Sequence, residues 1–397
     1  MSAAKRARLV LVFLALVLTP LLVLYNLLKD VHRDATEPFD LNSPTWSSAS
    51  EDVVHLSPSE GDEDANNLAD DHSLGPPKRA NATFIILARN SDLAGTVQSI
   101  TEIEQRFNKR YQYPYVILND QEFTADFKRT VTGLTPSLVE FGLIPREDWV
   151  QPVWIDEERA AEARRKMVDE GVKYGGDVTY RNMCRFNSGF FYRQPLMQKY
   201  KYYWRIEPNV HFLCDIHFDP FLFMQEQEKV YGFTLAVHEI AATVPTLWDT
   251  AKTFTDQHPE YLASDNALGF ITRFRSGGYN GCHFWSNFEI ADMDFFRGEA
   301  YSQFFDFLDR SGGYYYERWG DAPVHSIAVS LFLNASKIHF FDPIGYQHDD
   351  WRHCPLDRAT FEEGNCDCDY KKEFDYSGGS CKAQWDHFVR TSGLESR

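Results

Sequence analysis

The sequence predicts an α/β fold with a mixed, mainly parallel central sheet, and three adjoining stretches carry that expectation. "NATFIILARN" is an apolar strand, "SDLAGTVQSITEIEQRFNKRY" sets Leu93, Val97, Ile100, Ile103 and Phe107 at helical spacing behind a Ser or Asp cap, and "YPYVILND" is a second apolar strand. Strand, helix and strand in about forty residues make a βαβ unit, and in such sheets ligands gather where strand carboxyl ends meet loops. The first turn, "ARNSDL", contains no glycine, so the G-x-G-x-x-G dinucleotide fingerprint is absent and Arg89 becomes the candidate to meet a diphosphate at the strand end.

The later elements follow the same logic. "DEERAAEARRKMVDEGVKYG" is a charged amphipathic helix with a solvated face. "YYWRIEP" reads as a strand that stops at Pro208, because proline cannot donate to a ladder, and this leaves Glu207 at the strand end. "KVYGFTLAV" reads as another central strand, and "GEAYSQFFDFLDRS" and "DAPVHSIAVSLFLNAS" as helices, the second with Pro323 near its start. In that last helix Asp321 and His325 share one side by their i, i+4 spacing and are candidates to line a site.

Ahead of this domain lie three short regions. Residues 9–28 are a nearly unbroken apolar run, long enough to span a bilayer, and Lys5, Arg6 and Arg8 before it favour a cytoplasmic tail over residues 1–8. The run is longer than a signal-peptide core and no A-x-A-like cleavage site follows it. Residues 29–77 are rich in Asp, Glu, Ser, Pro and Asn and read as a flexible acidic stem, which puts the folded domain at 78–397, outside the cytoplasm. The sequons at Asn81 and Asn334 agree with that compartment, as does the clustering of Cys354, Cys366, Cys368 and Cys381. Seven cysteines allow up to three disulfides and leave one thiol, with the connectivity open; the cluster contains no C-x-x-C pair and fits a zinc ribbon poorly. The net charge of −18 excludes a general nucleic-acid binder.

The chemistry centres on "YYWRIEPNVHFLCDIHFDPF". In glycosyltransferases of the GT-A type an acidic edge at such a strand end holds a divalent cation that bridges a nucleotide-sugar diphosphate, and the variant here is Glu207-Pro208-Asn209. Together with "TYRNMCRFNSGFFYRQPLMQKYKYYWRIEPNV", "GGYNGCHFWSNFEIADMDFFR", "YYYERWGDAPVHSIAVSLFL" and "FDPIGYQHDDWRHCPLD", the sequence resembles the fungal α-1,2-mannosyltransferases of the KTR and MNT type, glycosyltransferase family 15, from about Asn81 to Cys381. The resemblance implies a GT-A-like domain, GDP-mannose as donor, a mannosylated glycan as acceptor, a Golgi membrane location through the amino-terminal anchor and retention of configuration. It implies metal ligands at Glu207 and His348, a pair that suits Mn2+ over Mg2+. It also implies a catalytic carboxyl at Glu289 in "SNFEI" and an orienting hydroxyl at Tyr180. This sequence departs from the family pattern in having Asp349 and Asp350 after the metal histidine, and Asn209 where a second acid would make a fuller edge. Two other readings are a non-catalytic mannan-binding or scaffold subunit and a hydrolase with paired carboxylates. The joint presence of Glu207, Glu289 and His348 argues against the first, and metal-dependent GDP binding would eliminate the second.

Overall fold

The computed structural model describes residues 78–273 and 276–394. The expected tail, membrane span and stem lie outside the described residues, among which no helix is long and apolar enough to cross a membrane.

Twelve strands are present among these residues: β1 (Ala82–Leu87), β2 (Tyr115–Asn119), β3 (Val139–Leu143), β4 (Tyr202–Ile206), β5 (Val210–Phe212), β6 (Tyr231–Phe233), β7 (Ala236–His238), β8 (Cys282–Phe284), β9 (Ile290–Asp292), β10 (Ile338–Phe340), β11 (Tyr346–His348) and β12 (Trp351–His353). Seven form the central sheet in the order β10-β6-β9-β4-β1-β2-β3. β9 runs antiparallel to both its neighbours, β4 and β6. The other neighbouring pairs run parallel, so the expected mixed, mainly parallel sheet is present. Its central strands are covered on both faces: every residue of β2 and β4 is buried, Arg205 of β4 included.

The predicted βαβ unit is β1, the helix Leu93–Ile103 and β2, with β1 and β2 paired in parallel. The expected Asp cap is used differently. The Asp92 carboxylate accepts the backbone N–H of Arg89 at 2.9 Å, which ties the turn after β1 back on itself and leaves the helix start without a side-chain cap. The single strand expected in "KVYGFTLAV" is broken. The chain leaves the large sheet after Phe233, the Leu235 carbonyl accepts the N–H of Trp285 instead of continuing a ladder, and β7 pairs with β8 in a sheet of its own.

A three-stranded sheet, β12-β11-β5, closes over the end of β4. The chain turns from β4 into β5 through Pro208 and Asn209, and Asn209 takes a left-handed conformation at φ 66°, one that asparagine tolerates better than most residues. A Cβ on Gly95 would stand 2.5 Å from the Asn209 carboxamide, so the Leu93–Ile103 helix comes this close to the turn only because residue 95 is glycine.

Three disulfides, Cys214–Cys366, Cys282–Cys381 and Cys354–Cys368, use six of the seven cysteines, and the remaining thiol, Cys184, is buried. All four carboxyl-terminal cysteines are therefore committed to disulfides. Cys282 and Cys381 are 99 residues apart, and opening a loop of that size releases a large chain entropy in the unfolded state. Replacing both by serine is expected to lower the unfolding free energy by about 4 kcal/mol, read from the denaturant midpoint under non-reducing conditions.

Candidate active site

A cleft of about 520 Å³ opens at the carboxyl ends of β1, β2 and β4. Arg89, Asn119 and Asp120 line it where β1 and β2 end, Glu207 and Asn209 where β4 ends, and His348 at the end of β11. The register explains how two residues 141 positions apart in the chain (348 − 207) reach one cleft: His348 pairs directly with Val210, just beyond the Glu207-Pro208-Asn209 turn. Both expected metal ligands thus face the same space, and Arg89 stands beside them, exposed, with no carboxylate on its guanidinium among the described residues.

The imidazole of His348 is oriented from two sides. Its ring stacks on Trp285 with centroids 5.2 Å apart, and Nδ1 lies against the carboxamide of Asn287. Asn287 is 4% exposed, and its Oδ1 has no partner when Nδ2 faces the ring. With the carboxamide turned about its terminal bond, Oδ1 accepts from Nδ1–H, the buried oxygen is satisfied, and the Nε2 lone pair is left for a ligand. That second contact is the kind that fixes the tautomer of a metal-binding histidine. One carboxylate and one imidazole so arranged fit a borderline divalent cation such as Mn2+.

Glu207 and Asp321 belong to one buried charge network, whose other members, Arg205 and Ser286, carry no motif in the sequence. Arg205, within the same "WRIEP" strand, donates to Glu207 at 2.5 Å and to Asp321 at 2.6 Å, and Ser286 donates to the same Asp321 oxygen at 2.7 Å. Burial disfavours the charge on Arg205, but Asp321, Glu207 and Glu289 hold it protonated. Burial likewise opposes the charge on Asp321, yet Arg205, His325 and the Ser286 hydroxyl hold its carboxyl below the usual carboxylate range. The second oxygen of Asp321 makes no hydrogen bond to any described residue, and the residue lines the cleft. Tyr180 lines it too, stacked on Tyr174 with centroids 4.4 Å apart. Burial is the main cause that pushes its phenol well above the ordinary value, so the hydroxyl stays a donor.

Two expected site residues do not reach the cleft. Glu289 is 1% exposed and sits beneath the floor, where Tyr203 donates to one oxygen at 2.7 Å, Tyr231 to the other at 2.8 Å, and His325 Nδ1 lies 3.0 Å from that second oxygen. His325 is wholly buried, its Nε2 donating to the Asn187 carbonyl at 3.0 Å. The i, i+4 spacing does put Asp321 and His325 on one side of the Asp321–Phe332 helix, but only Asp321, Ala322 and Pro323 of this helix line the cleft. His325 therefore does not line the cleft, and of Asp321 and Glu289 it is Asp321 that does.

A family model described as glycolipid 2-alpha-mannosyltransferase matches residues 36–389. The chain belongs to this family. It is 52% identical over 306 residues to the O-glycoside alpha-1,2-mannosyltransferase omh1 of Schizosaccharomyces pombe, covering 77% of this chain and 78% of that one. It is 46% identical over 343 residues to glycolipid 2-alpha-mannosyltransferase 1 of Candida albicans, covering 85% and 79%. Among solved structures, the mannosyltransferase Ktr4p of S. cerevisiae in complex with GDP superposes with a TM-score of 0.76 at 41% identity, over 80% of this chain and 84% of that one. The Mn/GDP form of core-mannan synthase A from Aspergillus fumigatus gives a TM-score of 0.75 at 38% identity, over 84% and 93%.

Proposed function

We propose that this protein is a retaining α-1,2-mannosyltransferase that moves mannose from GDP-mannose to the 2-hydroxyl of a terminal α-mannose on N- or O-linked glycans of secreted and cell-wall glycoproteins. Its GT-A-like catalytic domain, residues 78–397, would lie in the Golgi lumen, carried by the acidic stem 29–77 on a single span at 9–28 with residues 1–8 in the cytoplasm. The observation that carries the reading is the strand-end edge of Glu207 and His348 beside an ionised Asp321, in a family whose solved relatives bind GDP, one of them with Mn.

In this reading Arg89 and the ends of β1 and β2 take the nucleotide, and Glu207 and His348 hold Mn2+. The bound ion supplies charge neutralisation for the departing diphosphate. Asn287 fixes the His348 ring, and Arg205 fixes the Glu207 carboxylate while keeping Asp321 charged. GDP-mannose is an α-glycoside and so is the product, so configuration is retained. The positive charge that grows on the anomeric carbon needs a fixed negative partner, and the unbonded oxygen of Asp321 is the carboxylate placed to provide it. Tyr180, held protonated, orients a hydroxyl of donor or acceptor. Glu289 acts from below as a positioning group, holding Tyr203, Tyr231 and His325 and through them the floor.

The paired-carboxylate hydrolase loses support here. A glycosidase has no use for a nucleotide, whereas the solved relatives at 41% and 38% identity hold GDP. The test is transfer from GDP-mannose to α-methylmannoside by the full-length protein with Mn2+ or with chelator. Product formed with Mn2+ and abolished by chelator is the expected result. GDP and Mn2+ binding without transfer to any mannoside would favour the scaffold reading instead.

A further inference from the structure

The mannosyl-transfer reading uses neither of the sequons, Asn81-Ala82-Thr83 and Asn334-Ala335-Ser336, and the fold treats the two differently. Asn81 is exposed directly before β1, but its Nδ2 donates to the Lys199 carbonyl at 2.9 Å and its own carbonyl accepts the N–H groups of Lys201 and Tyr202 at 2.9 and 3.0 Å. Thr83 is wholly buried, and its hydroxyl donates to the Pro114 carbonyl at 2.9 Å. Amide and hydroxyl of this sequon are both spent on neighbouring segments of the chain.

Asn334 lies in the turn between the Asp321–Phe332 helix and β10. Its Oδ1 accepts the Ser336 N–H at 3.3 Å and the Ser336 hydroxyl at 3.1 Å, a local turn that residues 334–336 make among themselves. A chain not yet folded can adopt it too. Nδ2 donates no hydrogen bond to any described residue, and it is not buried, so it is open to solvent. The remaining bonds of the turn leave that nitrogen aside: the Ala335 N–H donates to the Asp265 carbonyl at 2.7 Å, the Lys337 N–H to the Asn334 carbonyl at 2.9 Å, and the Lys229 ammonium to the Ser336 carbonyl at 2.8 Å. A substituent on Nδ2 displaces none of them.

The turn also lies away from the chemistry. β10 runs parallel to β6, and β6 and β4 both run antiparallel to β9, so the start of β10 is at the sheet edge opposite the strand ends that border the cleft. The 12-residue helix that begins at Asp321 in the cleft wall adds about 18 Å before the turn is reached. A large group on Asn334 leaves the cleft open.

We infer that Asn334 carries an N-linked glycan, because an Asn-x-Ser whose amide is free in a surface turn is an acceptor for one in a luminal chain. The co-substrate is a lipid diphosphate-linked oligosaccharide. Nδ2 forms a C–N bond to the anomeric carbon of its first sugar, the C–O bond to the diphosphate breaks with the electron pair leaving on the lipid diphosphate, and the displaced amide proton passes to solvent. The inference rests on the luminal placement of residues 78–397. It goes beyond that placement in assigning a covalent modification and its position.

The test uses the full-length protein made in a eukaryotic secretory host and kept in sealed microsomes. Peptide mapping after amidase release of N-glycans in heavy-oxygen water should find residue 334 as labelled aspartate. Asn81→Gln should still shift in mobility on glycan release, and Asn334→Gln should lose one glycan's mass. Ser336→Ala should lose it as well, and since it leaves Asn334 and the backbone N–H bond of the turn in place, it reports even if Asn334→Gln disturbs the fold. Unlabelled asparagine at 334 in the wild type, or no shift in Asn81→Gln, would overturn the inference. Protease added outside the microsomes reads the placement separately. A protected domain with Asn334 unmodified defeats the inference alone, whereas digestion of residues 78–397 defeats the luminal placement and the inference with it.

Discussion

Replacing Glu207 with alanine is expected to lower mannosyl transfer by about 10²–10³-fold while leaving the fold in place, read as initial rates at saturating Mn2+ with circular dichroism as the control. The size follows from what the carboxylate does at once. It is one of only two side chains proposed to hold the ion, and the charge on the departing diphosphate develops in a cleft with low-dielectric walls, where each fixed counter-charge counts for more than in water. The fold should survive because Glu207 is partly exposed, and because Arg205 keeps its second carboxylate partner, Asp321, when Glu207 is gone. Higher Mn2+ should recover part of the loss, since His348 and the substrate diphosphate still offer ligands. A variant as active as the wild type in the presence of chelator would remove the metal edge from the account.

The second large effect separates two carboxyl groups. Asp321→Asn is expected to cut transfer by about 10²–10³-fold with GDP affinity retained, because the amide keeps the shape but cannot offset positive charge at the anomeric carbon. Glu289→Gln should be milder in rate, about tenfold, but costly to stability by about 1–3 kcal/mol. Its new NH2 group must face a tyrosine hydroxyl that the carboxyl oxygen now accepts from, inside a site closed to water. The pair of measurements, kcat against thermal midpoint, distinguishes a group that acts on the sugar from one that holds the floor. Near-complete loss of transfer in Glu289→Gln with an unshifted midpoint, beside a modest effect in Asp321→Asn, would assign the direct role to Glu289 and require the floor to open.

The difference between those two residues also shows what was legible in the chain alone. β1, β2 and β4 could be read directly because they are rich in apolar and aromatic residues and their ends are marked by Pro208 and by polar turns. Glu207 and His348 could be named from the quoted segments, but only the pairing of β11 with β5 brings them to one cleft. Depth was not legible. "SNFEI" gives no sign that Glu289 points down between two tyrosines while Asn287, two residues earlier, faces His348. Nor does "DAPVHS" show that Asp321 lines the cleft while His325, one turn on, lies behind its wall. Arg205 was hidden in plain view, since an arginine alternating with buried aromatics looks like an edge residue until the sheet order places it at the centre. The break in "KVYGFTLAV" was equally unreadable, because both halves are strands and only their partners differ.

The most direct test of the central claim is the product itself. Proton and carbon NMR of the disaccharide made by the full-length protein from GDP-mannose and α-methylmannoside with Mn2+ should show one new mannose, α-configured at its anomeric carbon and attached to O2 of the acceptor. A β-linked product, attachment at another hydroxyl, or release of free mannose in place of a disaccharide would contradict the account.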